Sequence, residues 1–274
     1  MNLEEGRIDV KIGCISWSYK SEFSSGKWNI RSWMIHCRDA LRLDGVELWN
    51  KHFESTKPSY VKTLRAISDQ LGLPVYSVAA KLELGTFSEQ TLKAAEDTFA
   101  EWVGVAKALG CRTLRFSLGG EGLRESPNRE KTYALLDKCM SVHQNSLHDL
   151  KVGIENQEPG FTESVSDVKE LRRRLGGKMF LVLDNGSFRN KEVTYDFTKR
   201  SLSDACLVHV KFYKLEEGRG DAKIDYDRYI RLLDSEGYDG FLSIEFDSDE
   251  TPSVAVPRIA DYLRKELGRV SSGK

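Results

Sequence analysis

Four residues in the second half of the chain stand where a long apolar run stops: Glu155 in "VGIENQ", Asp184 in "MFLVLDNG", His209 in "LVHVKFYK" and Glu245 in "LSIEF". A charge at the lip of a run built for burial is costly unless something pairs with it. Three carboxylates and an imidazole drawn together repel unless protons or a cation neutralise them. One divalent ion with O/O/N/O ligands and open positions for water and substrate satisfies such a set. Mn²⁺ is the expected ion, with Mg²⁺, Co²⁺ or Zn²⁺ as alternatives; the donors are not those of a structural zinc site. A single acid at a strand end is more often a cap or an ion-pair partner. Four such residues at matching places on consecutive runs point to one site.

The elements that must position them are short apolar runs alternating with amphipathic stretches. Strands are expected at 10–17, 45–49, 73–80, 112–118, 150–156, 179–184, 206–213 and 240–246. Several are apolar at consecutive positions, as strands covered on both faces are. Helical patterns lie between them. One runs from a Ser88 cap to a Gly110 stop and another from Asp225 to Gly237; Pro257 should restrict the start of the last. Eight strand–helix units predict an α/β fold, a single (β/α)8 TIM barrel whose active-site face is the C-terminal ends of the strands. A doubly wound open sheet is the alternative, but "SYKSEFSSGKW" follows the first strand in place of a glycine-rich phosphate turn. One domain is expected over 1–274, with short flexible ends at about 1–8 and 269–274. If the four donors point into the barrel, so do Gly153, Val182, Leu207 and Ser243 two residues earlier, and none of these is charged.

The 274 residues carry 41 basic and 42 acidic side chains, a net charge of −1 that favours neither nucleic acid nor an anionic membrane. The start, "MNLEEGRIDV", lacks the pattern of a signal peptide, and no apolar run approaches the roughly 20 residues of a membrane span. Five widely spaced cysteines without a CxxC pair predict reduced thiols and a cytoplasmic protein. The expected partner is a small molecule, and a homo-oligomer is compatible with the sequence.

With these residues in view, the sequence resembles the xylose isomerase-like TIM barrel superfamily, the sugar phosphate isomerases and epimerases in particular. The matching pieces are "GVELW" with His52 beyond it, "IEN" at Glu155, "LDNG" at Asp184, "HVK" at His209 and the closing run "KIDYDRYIRLLDSEGYDGFLSIEF". The resemblance spans nearly the whole chain and is strongest after residue 150. It implies one divalent metal held by Glu155, Asp184, His209 and Glu245, with the two glutamates also transferring protons. The sequence departs from the pattern after Asp184, where "DNGSFRN" places Ser187 and Phe188 near the position at which many relatives carry a histidine.

The implied activity is a divalent-metal-dependent isomerase or epimerase acting on a sugar or sugar phosphate. A chelated carbonyl and hydroxyl acidify the neighbouring C–H, and Glu155 or Glu245 removes a proton to leave an enediolate. Return to the same carbon epimerises, delivery to the next carbon isomerises, and loss of a β-substituent makes the enzyme a keto-sugar or keto-inositol lyase or dehydratase. Candidate substrate contacts are Trp17, Trp49, His52, Glu158, Lys211 and Arg219, with plain packing favoured for Trp49. An abasic-site endonuclease on the same fold needs about three zinc ions and many histidines. Of the five here (His36, His52, His143, His148, His209), only His52 and His209 are placed to reach the mouth. A barrel that binds sugar without turning it over is the remaining alternative.

Overall fold

Along the strands the outward positions are apolar (Val, Leu, Ile, Ala, Met, Cys or Phe) and lie under helices, while the inward ones carry the polar groups. The structure, a computed structural model, describes residues 10–216, 220–221 and 223–272. The expected flexible start and Arg219 lie outside the described residues. Strands at Lys11–Ile15, Gly45–Trp49, Val75–Glu83, Thr113–Gly119, Lys151–Glu155, Met179–Asp184, Ala205–Phe212 and Phe241–Phe246 are parallel and close into a barrel, the first pairing with the eighth. They are numbered one to eight below. Outward residues such as Val46, Leu48, Leu114, Phe116, Val152, Ile154, Leu183, Val208 and Ile244 join the single large core between barrel and helices.

Most expected boundaries fall within two residues of those observed. The third strand differs most, running on to Glu83 because it stays paired with the fourth from Ser77–Thr113 to Glu83–Gly119. Ser88 caps the helix Glu89–Leu109 by accepting from the Thr91 N–H, and Gly110 ends it at φ +74°. Asp225 caps Tyr226–Ser235 in the same way through the Arg228 N–H. The last helix starts at Pro252, so Pro257 sits inside it, and it continues to Ser271. The tail expected from 269 is therefore helical at its beginning, because Leu267 and Val270 still pack on the core. A ribbon of Leu215–Glu216 against Gly220–Asp221 in the loop after strand seven had no signal in the sequence.

The floor of the barrel is a tyrosine plug. Pairing of strands two and three slips from Val46–Val75 to Glu47–Ser77, leaving Tyr76 as an extra residue aimed inward. Two glycines make room for its ring: a Cβ on Gly13 would lie 2.3 Å from the Tyr76 ring, and one on Gly45 2.8 Å from it. Tyr76 stacks on Phe241 at 3.9 Å and packs with Val182 and Leu207, two of the inward positions expected from strand parity. All five thiols are free, and burial pushes Cys139 and Cys206 up to about 12. Among the described residues, no helix is long and apolar enough to cross a membrane.

Candidate metal centre

Above the tyrosine the lumen turns polar. His209 is level with Asp184 on strand six and Ser243 on strand eight, and Lys211 is level with Glu245 one inward position higher. Glu155 ends strand five on the same face. Ligand atoms of Glu155, His209 and Glu245 lie within 4.8 Å of one another, close enough to hold a metal ion, and all three residues are buried. Nδ1 of His209 is 2.7 Å from Glu245 Oε2 and 3.3 Å from Glu155 Oε1.

Each glutamate is steadied on its other oxygen by a cation. The Arg115 guanidinium of strand four donates to Glu155 Oε2, and the Lys211 ammonium donates to Glu245 Oε1 at 2.6 Å. Burial alone would raise the Glu245 carboxyl, but Lys211, His209 and Arg115 hold it well below the usual carboxylate range. Burial also opposes charge on His209. The Glu47 carboxylate on one side of the ring, with Glu155 and Glu245 on the other, outweighs it and holds the imidazolium well above its ordinary value. Lys211 lies 4.5 Å over the Trp17 ring, whose position just after strand one therefore borders the site.

Asp184, the fourth expected donor, stands beside this trio and outside it. Its carboxylate accepts from the Gly186 N–H at 2.8 Å and the Ser187 hydroxyl at 3.3 Å, both in its own loop. Burial and then the Glu245 charge push it up to about 6, against the pull of Lys211. The asparagines that follow two of the acids explain how the loops hold them. Asn156 exchanges two hydrogen bonds with the Asp184 backbone, and Asn185 Oδ1 accepts from the Lys211 N–H. Each side chain replaces a backbone rung where neighbouring strands begin to splay. "IEN" and "LDN" are thus acid-plus-bracket pairs.

The remaining expected contacts spread around the rim. His52 stacks on Phe23 at 3.8 Å and meets Ser16 Oγ at 2.9 Å, and burial lowers it to about 4. Trp49 meets His52 edge to face at 5.0 Å and donates its backbone N–H to the same Ser16, so these two form a packed corner. Glu158 is exposed and accepts from the Arg189 backbone N–H, tying two loops together.

Two site residues escaped the sequence reading. Glu47 lies in the middle of strand two with no exposed surface, accepting from His209 Nε2 at 2.8 Å and from the hydroxyls of Ser243 and Ser77 at 2.8 and 3.1 Å. Arg115 is the other. The signal was present in "GVELW" and "RTLRFSL": Val46 and Leu48, Leu114 and Phe116 face outward, so Glu47 and Arg115 must face in.

A metal fits this donor set. Four buried carboxylates (Glu47, Glu155, Asp184, Glu245) outnumber Arg115, Lys211 and the His209 imidazolium, and buried Glu155 Oε1 has no hydrogen-bond partner. Oxygen, nitrogen and oxygen donors suit a hard or borderline dication.

This closed parallel barrel, with its acids and histidine at the C-terminal mouth, defines a class: residues 39–266 match the family model of the xylose isomerase-like TIM barrel, and the chain belongs to that family. Its fold is similar to that of L-ribulose 3-epimerase (TM-score 0.74, 17% identity, 96% of each chain covered). A D-tagatose 3-epimerase-like protein is similar as well (TM-score 0.73, 16% identity, 96% of this chain and 99% of that one). So is the probable 3-DHS dehydratase AsbF of Bacillus anthracis (TM-score 0.73, 12% identity, 93% and 98%). No curated protein matches the sequence.

Proposed function

We propose that this protein is a divalent-metal-dependent sugar epimerase or isomerase, with Glu155 and Glu245 as its proton-transfer pair. The observation that carries the reading is their approach to one imidazole nitrogen, each steadied on its other oxygen by a cation. Glu155, His209 and Glu245 would hold the ion, and Asp184 stands next to them as a fourth donor. A dication bound there, Mn²⁺ in our reading, would polarise a sugar carbonyl and acidify the adjoining C–H.

The protein's own groups do the rest. One glutamate takes the proton, and the other gives one back from a different direction. Proximity lets such weak bases act, because the substrate is held against them. Lys211, with its ammonium already at Glu245, supplies positive charge where the substrate gains negative charge. Trp17 offers a flat apolar face beside it. Similarity to two proteins described as 3-epimerase or 3-epimerase-like is in keeping with epimerisation, and equal similarity to a probable dehydratase keeps elimination as the alternative.

The test is NMR of ketoses, keto-sugars and their phosphates in D₂O with Mn²⁺-loaded protein, read on quenched, metal-free products. Deuterium beside the carbonyl in an epimer or isomer is expected, whereas an eliminated product would assign the lyase chemistry. Binding of a sugar without exchange would defeat the catalytic reading. Glu155→Gln and Glu245→Gln are each expected to slow exchange by about 10³-fold, within the range of lost acid–base groups. Exchange near the wild-type rate in either removes that residue from the mechanism.

A further inference from the structure

Glu47 is an expensive residue for its position. It has no exposed surface, no lysine or arginine within ion-pairing distance among the described residues, and a place on a strand whose neighbours are Val46 and Leu48. An apolar side chain there would avoid the desolvation cost of a buried carboxylate. What the acid contacts explains it. Its Oε2 takes the Nε2–H of His209 at 2.8 Å and the Ser243 hydroxyl at 2.8 Å, while Oε1 takes the Ser77 hydroxyl at 3.1 Å. Ser243 is itself held by the Tyr76 hydroxyl at 2.7 Å.

We propose that Glu47 is the positioning residue of the metal centre: reaching across the lumen from strand two, it ties down Nε2 of His209 so that Nδ1 alone is offered to the cation. The inference rests on the metal-dependent reading above. Glu47 sits on the far side of the imidazole from Glu155 and Glu245, which both face Nδ1. Two hydroxyls and the ring fix its carboxylate, so it cannot swing round to become a ligand. A ring held this way keeps one proton at Nε2 when Nδ1 carries a metal, and such outer partners typically change metal affinity by about 10–100-fold. Ser77, Ser243 and Tyr76 extend the support to the barrel floor, one shell further out.

The experiment uses the full chain stripped with EDTA and titrated with Mn²⁺ by calorimetry. Glu47→Gln keeps an acceptor for Nε2–H and is expected to bind about 10-fold more weakly than wild type. Glu47→Leu removes the acceptor and is expected to lose about 100-fold. Ser243→Ala leaves Glu47 in place and is expected to cost about 3-fold, the size of one modest hydrogen bond. Melting curves of the metal-free variants separate this from a purely structural role, which would lower the melting temperature and leave Mn²⁺ affinity alone. ¹⁵N NMR of the Zn²⁺-loaded protein gives a second readout: one protonated Nε2 in wild type, lost or mixed in Glu47→Leu. Should Glu47→Leu fail to fold, Glu47→Gln and Ser243→Ala decide. Wild-type affinity in the folded variants overturns the role of Glu47 and leaves the metal reading standing, whereas wild type that takes up no divalent ion overturns both.

Discussion

Strands five to eight and strands one to four fill one ring of inward positions to different ends. The later half supplies Glu155, His209 and Glu245, which could hold a cation, with Asp184 beside them. The earlier half supplies Glu47, which holds His209 from across the lumen, and Arg115, which holds Glu155 from the adjacent strand, with Ser77 holding Glu47 and Tyr76 acting through Ser243. The difference teaches how a barrel divides its labour. Glu155, Asp184 and Glu245 stand at or next to strand ends and His209 lies inside strand seven, whereas both supports, Glu47 and Arg115, lie within their strands.

The largest expected effect on the supporting half comes from its floor. Gly13→Ala places a Cβ against the Tyr76 phenol, and overpacking of this kind costs about 1–3 kcal/mol. Thermal unfolding should show the loss, and Tyr76→Leu in the same chain should recover part of it. Full stability in Gly13→Ala would mean that the plug is not tightly seated. Arg115→Gln acts nearer the donors and with the opposite sign to Glu47→Gln. Removing a positive charge beside Glu155 should strengthen Mn²⁺ binding by at least about 10-fold, the repulsion expected between a unit charge and a dication about 6 Å apart even at the dielectric of water. Calorimetry that gave both variants the same sign would erase the distinction between a group that aims a ligand and one that competes for it.

The smallest effect concerns the rim. Burial lowers His52 to about 4, below the 6.5 of an ordinary histidine. A depressed histidine contributes stability at pH above 6.5 and loses that contribution as pH falls toward 4. The gap in melting temperature between wild type and His52→Gln should therefore be wider at pH 7.5 than at pH 4. A constant gap would show that His52 does not titrate with the fold.

The fold was legible because its outward positions are so uniformly apolar: "MFLVLD" and "CLVHVKFY" announce strands by themselves, and Ser88, Gly110 and Asp225 mark helix ends through local hydrogen bonding and backbone geometry. The donors were legible because each interrupts such a run, Glu155, Asp184 and Glu245 at or near its end and His209 within it. Glu47 and Arg115 were not, since a polar residue inside a strand reads as an exposed face until closure of the barrel turns that face inward. Asp184 is expected among the ligands from its position on strand six, and it stands beside the other three. The turn of its carboxylate toward Gly186 and Ser187 depends on loop geometry that strand parity does not encode.

The aromatic stopper at the base of the barrel has a consequence for isotopes. Tyr76 and Phe241, stacked on each other and packed with Val182 and Leu207, fill the barrel floor beneath the acids with side chains. In the proposed reaction, a hydrogen lifted from a sugar would exchange mainly through the loops above, so a covered mouth would hand part of it back to the same molecule. Retained label would then report how well the upper loops shut.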